Sequence, residues 1–168
     1  TSQPSRLHSP FLTVRSDAQA PQASGQNLYS YIQIEKEAKG KSFSEARKNA
    51  DQIRYEYKII GNQLVFDNYL LTDLKNKFRN QEVEITLFLT EGTVFKVDSS
   101  VNDYDRSDDD FFDLDHDMNE AVYKVNAFEV SCLNCTDSNL ENDNESASVT
   151  VNSVSPTITF AETSGSAN

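Results

Sequence analysis

Two histidines, two cysteines, one methionine and no tryptophan among 168 residues leave little from which to build reactive chemistry. Nucleophilic catalysis needs a base beside its nucleophile. His8 stands in a Pro- and Ser-containing leader, and His116 stands among aspartates, where neighbouring carboxylates would keep it protonated to higher pH. Neither has a plausible nucleophile next to it, so no catalytic constellation is expected and the chain reads as a non-enzyme. A closed zinc site needs four ligands at knuckle spacing; beyond Cys132-Leu-Asn-Cys135 there are only the two distant histidines. A redox dithiol belongs at a helix N-terminus, where its thiolate is stabilised, whereas this pair closes a β segment ahead of a polar stretch. A local bridge and two thiols both stay open. The five glycines are scattered, without a phosphate-cradling loop, and no cofactor is expected. There is also no stretch of about 18 apolar residues and no basic leader followed by an apolar run. The chain is accordingly expected to be a mature protein or a soluble piece of a longer one.

What is present is acid, and it is unevenly placed. The net charge is −12, with 13 Lys and Arg against 11 Asp and Glu over residues 1–97, but 2 against 16 over 98–168. Phosphate backbones are bound by clustered cations that release counterions, so no nucleic-acid partner is expected. The ten Phe and seven Tyr supply the large apolar side chains of one core, which suits one domain of ordinary size.

Residues 1–27 hold three of the four prolines and one apolar patch, and read as a flexible leader with a short strand at 11–15. Residues 28–37 read as a strand buried on both sides near its middle. Ser42-Phe-Ser-Glu45 has the spacing of a capping box. Phe43, Ala46, Ala50 and Ile53 then recur on one face, which predicts a helix over 43–53 whose small alanines let it lie close to a sheet. Gly61-Asn62 predicts a hairpin between strands at 55–60 and 63–70. Gln81–Leu89 alternates most cleanly, with Val83, Ile85, Leu87 and Leu89 on one face. Strands are also expected at 93–97 and 121–133, with a polar, mostly disordered tail over 136–168 favoured over an added strand or hairpin there.

Residues 98–119 form an Asp-rich belt, expected to be a surface excursion pinned by Tyr104, Phe111, Phe112 and Leu114. Asp113, Asp115 and Asp117 match the first three ligand positions of an EF-hand loop. Met118 then stands where glycine is required, and Lys124 where a bidentate glutamate is required. Asp103, Asp105 and Ser107, beside Asp108–Asp110, offer a second set of oxygens. A solvated acidic loop is the favoured reading of both. Lys75, Lys77 and Arg79 make a small basic loop, read as solvated, with a partner contact or a complement to the belt as alternatives.

The segments Ile34–Ala50 (IEKEAKGKSFSEARKNA), Ile53–Tyr57 (IRYEY), Gly61–Asp67 (GNQLVFD) and Gln81–Thr93 (QEVEITLFLTEGT) resemble the C-terminal extracytoplasmic, toastrack-like region of PspC-domain (phage shock protein C-like) envelope proteins. The likeness covers residues 28–135, with Thr90-Glu91-Gly92 where the family often has Pro-Glu-Gly. It implies a mainly β fold, a solenoid-like or twisted stacked β-sheet with one short amphipathic helix. It implies an extracytoplasmic, periplasmic place, with tethering to the inner membrane through helices absent from this chain. The implied role is interaction or scaffolding in an envelope stress response, and no catalytic residue comes with it. In an oxidising compartment Cys132 and Cys135 could close a disulfide. Partner binding or self-association is expected at a sheet edge made by 81–89 with 93–97. The competing reading is a Ca²⁺-dependent adhesin or carbohydrate-interacting protein that uses the belt.

Overall fold

Alternating apolar side chains become strands only where a second apolar face covers them, and this chain supplies two such faces. The computed structural model describes residues 5–7, 10–16, 29–73, 75, 79–106, 111–114, 120–135 and 156–161. In chain order these form β1 (Ser5–Leu7), β2 (Phe11–Ser16), β3 (Tyr31–Glu37), α1 (Phe43–Asp51), β4 (Tyr57–Ile60) and β5 (Gln63–Phe66). Then come β6 (Leu70–Thr72), β7 (Glu82–Leu89), β8 (Val94–Asp98), β9 (Glu120–Val125), β10 (Val130–Cys132) and β11 (Thr157–Phe160). The protein is thus mainly β, with one α-helix among the described residues.

Three sheets result: β2-β7-β3, the six-stranded β10-β9-β8-β11-β5-β4, and the pair β1-β6. On β7, Val83, Ile85, Leu87 and Leu89 are buried, and β2 sets Leu12 and Val14 opposite Ile85 and Leu87. Phe66, Phe95, Val97, Tyr123, Val125, Ile158 and Phe160 line the six-stranded sheet and merge with those residues in one buried cluster. The core therefore lies between the two sheets, whose alternate residues face inward.

The helix begins as its sequence requires. The Ser42 hydroxyl accepts from the Glu45 N–H at 3.2 Å, and the Glu45 carboxylate accepts from the Lys41 N–H at 2.9 Å, one residue earlier than a strict capping box. Ala50 and Ile53 are buried as the stripe predicts, but Phe43, its first member, is 97 % exposed. It occupies the first helical position, a turn ahead of Ala46, and only the later part of the stripe reaches the core. Close packing here depends on Gly40, where a Cβ would come within 2.9 Å of the Ala46 Cα.

Several expectations are corrected. β3 is half-buried at Tyr31–Ile34 and exposed from Glu35, not buried on both sides, because β7 flanks it on one side and it ends its sheet. The strand expected over 63–70 breaks after Phe66, and Leu70–Thr72 pairs instead with β1. The apolar patch of the leader is β2, which runs parallel to β7 through a six-residue register. The polar stretch 136–168 is not a tail throughout: Thr157–Phe160 inserts between β5 and β8, parallel to both. Its Ile158 and Phe160 are each 2 % exposed. Four alternating residues suffice, since a strand paired on both sides needs only a short apolar-in pattern to be buried.

Candidate interaction surface

The acidic belt spends its first carboxylates on its own backbone. Asp98 accepts from the Ser100 N–H at 2.9 Å and so caps a 3-10 turn, Ser99–Val101. Asp105 accepts from the Leu114 N–H at 3.0 Å. Phe112 and Leu114 are buried and Tyr104 stacks on Phe160 with ring centres 4.0 Å apart, whereas Phe111 is 63 % exposed. The belt also closes a sheet edge: the Leu12 N–H donates to the Tyr104 carbonyl, and the Arg106 N–H donates to the Leu12 carbonyl. The Arg106 guanidinium lies 4.0 Å from the centre of the Phe11 ring, a cation–π contact on the same edge.

Of the Ca²⁺ candidates, Asp113 is exposed between buried Phe112 and Leu114, while Asp115 and Asp117 lie outside the described residues. So do His8, His116, Lys77, Ser107 and Asp108–Asp110. Among the described residues no three His, Cys, Asp or Glu side chains gather closely enough to hold a metal ion. Cys132 and Cys135 are joined in a disulfide, with Cα atoms 5.6 Å apart, at the end of β10. Between them Asn134 braces β9: its carbonyl oxygen accepts from the Val122 N–H, and its amide donates to the Glu120 carbonyl.

The basic loop does not meet the belt through Arg79. That guanidinium lies 4.0 Å from Glu45 of the helix, and together with Lys39 and Lys41 it borders a surface depression of about 400 Å³. At the adjoining helix N-terminus the Ser42 hydroxyl takes the Glu45 N–H, and the Glu45 carboxylate turns back to the Lys41 N–H ahead of the cap.

The edge expected at 81–89 with 93–97 does not exist. β7 is paired on both sides by β2 and β3, and β8 on both sides by β9 and β11. The β2 edge is covered by residues 104–106, and at β10 the Val130 N–H donates to the Phe111 carbonyl. Among the described residues β3 and β4 each end a sheet; Tyr31–Ile34 of β3 are half-buried, whereas β4 pairs only with β5 and its four residues are all exposed. Ile59 is 70 % exposed, Ile60 58 % and Tyr57 39 %. The Asp67 N–H donates to the Glu56 carbonyl, which fixes the phase of this antiparallel ladder. Lys58 and Ile60 then bond to β5, and the N–H groups of Tyr57 and Ile59 point away from it. Ile59 also walls an apolar cavity of about 320 Å³ that opens between the sheets, with Ile32, Leu64, Leu87 and Phe95 around it.

Nothing in the sequence pattern separates β4 from a covered strand, because its Tyr-Lys-Ile-Ile run reads as buried as β5 does. Its exposure follows from where the sheet order ends.

A family model described as ToastRack found in some PspC matches residues 22–138. No curated protein and no solved structure matches the chain.

Proposed function

The chain belongs to the ToastRack family found in some PspC proteins, and from that premise we propose that it is an extracytoplasmic, non-enzymatic interaction domain of an envelope stress-response membrane protein. The observation that carries the reading is the β4 edge. Its outward N–H groups, flanked by exposed Tyr57, Ile59 and Ile60, offer an added strand both backbone pairing and apolar contact. Such an edge usually invites aggregation unless charge, a bulge or a cover protects it. Here one lysine, Lys58, stands among three apolar residues, which suits a surface that is covered in use. A strand added there would extend the six-stranded sheet and continue its inner face past Ile59 at the mouth of the cavity. Solenoid-like stacking, as the family implies, belongs to the same reading, with β4 as the place where a further strand is added.

Membrane tethering would come from segments outside this chain; among the described residues no helix is long and apolar enough to cross a membrane. Capture from an envelope membrane extract tests the proposal. Wild-type protein should recover an envelope protein, and Ile59→Pro should recover at least about tenfold less while keeping its melting temperature within a few degrees. Proline at this position removes an outward donor and leaves the ladder to β5 intact. Equal recovery by the variant, or none by the wild type, would sink the reading.

A further inference from the structure

We propose that the slot between β5 and β8 is an exchangeable strand site, filled by the β11 segment of a second copy of this chain as well as by the chain's own. It is a different surface from the β4 edge, and the inference goes beyond the reading above.

β5 and β8 lie inside the span matched by the family, residues 22–138, whereas β11 lies beyond it. Within the described residues β5 and β8 form no ladder with each other, and β11 joins them by pairing in parallel with each. The contacts are those by which a sheet takes in an extended peptide. The Lys96 N–H donates to the Pro156 carbonyl at 2.8 Å, the Thr157 N–H to the Asn62 carbonyl at 2.9 Å, and the Ala161 N–H to the Phe66 carbonyl at 2.8 Å. The Phe160 N–H donates to the Ser100 hydroxyl at 3.0 Å. Ile158 and Phe160 point into the core, where Phe160 meets the rings of Tyr104 and Phe66 at 4.0 and 5.6 Å.

None of these contacts uses the covalent connection back to Cys135. Pro156–Ala161 of another copy would make every one of them. The connecting stretch, residues 136–155, sets the competition between the two sources. A tether of this length gives its strand an effective concentration on the order of millimolar. The chain's own β11 therefore prevails in dilute solution, and exchange grows with protein concentration. Reciprocal exchange, each copy giving and receiving one strand, closes into a two-fold pair.

The Ser100 and Thr159 hydroxyl oxygens are 3.2 Å apart, which brings cysteines at these positions within disulfide reach. The test uses two full-length, differently tagged variants, Ser100→Cys and Thr159→Cys, unfolded together, refolded as a mixture and oxidised. A disulfide between them that depends on the apolar face of β11 places the β11 of one copy in the slot of the other. The mixed dimer should form, and its share should rise about tenfold between about 10 and about 100 µM protein. It should disappear when the Thr159→Cys copy also carries Ile158→Asp and Phe160→Asp. The doubly substituted single chain, S100C with T159C, should cross-link within itself and serves as the positive control. The proposal is overturned if that control links but no mixed dimer forms. It is equally overturned if the mixed dimer survives the two aspartates, since the link is then collisional, or if the control fails to link, since the register on which it rests is then wrong.

Discussion

Burying a carboxyl group disfavours its charged form, and Asp67, the residue after β5, is a case among the described residues. Its pKa is raised, first by burial and further by Glu56, against the pull of Lys58. Tyr55 beside it donates its hydroxyl to the Asp67 carbonyl at 2.8 Å, and burial, with the Asp67 charge next in size, pushes the phenol upward as well. A group whose folded pKa lies above its unfolded value contributes stability that is complete below the unfolded value and is lost as pH rises through the folded one. For Asp67 that loss begins above about pH 3.9, the ordinary aspartate value. Asp67→Asn should accordingly melt no differently from wild type near pH 3 and higher near pH 7. Because the side chain is only partly buried, solvent limits the gain to about 2 °C. Calorimetry across that range checks the sign, and a variant that melts lower at neutral pH would show that the Lys58 attraction outweighs burial.

Elements near the chain ends do more for this fold than their composition suggests. β11 has four residues, yet it joins the β4–β5 hairpin to β8, β9 and β10, and its Phe160 is packed by two aromatic rings. Truncating a buried phenylalanine costs about 3–5 kcal/mol, a large fraction of the roughly 5–15 kcal/mol that holds a domain together. Phe160→Ala should lower stability by that amount in chemical denaturation. A change below about 1 kcal/mol would mean that β11 is not part of the cooperative core. β2 stands in the same position on the other sheet, where it gives β7 its second neighbour and moves that strand from edge to centre. Helix α1 is the converse case, a segment with a clear local signal that buries only Ala50 along its length.

Across the whole molecule the net charge of −12 works against compaction, with most of it carried after residue 98. Salt shortens the reach of that repulsion, from about 30 Å at 0.01 M to about 10 Å at 0.1 M. The melting temperature should rise by about 2–4 °C between those concentrations, equivalent to about 1 kcal/mol for a chain of this size. A flat or falling curve would show that ion pairs such as Lys96–Glu120, at 3.0 Å, offset the excess. The sequence by itself determined whatever is decided within a few residues. The Ser42–Glu45 cap, the β4–β5 hairpin with Gly61 at φ 62°, and the inward face of β7 were all legible there, because backbone sterics and period-two alternation act locally. Only the tertiary structure decided which strands became neighbours. Nothing local tells Thr157–Phe160 that a gap between β5 and β8 awaits it, or tells Tyr57–Ile60 that no strand will cover it. Both outcomes depend on pairings between residues far apart in sequence, whose energies exist only once the sheets have formed. The candidate interaction surface is an edge, and an edge is a property of the finished sheet order.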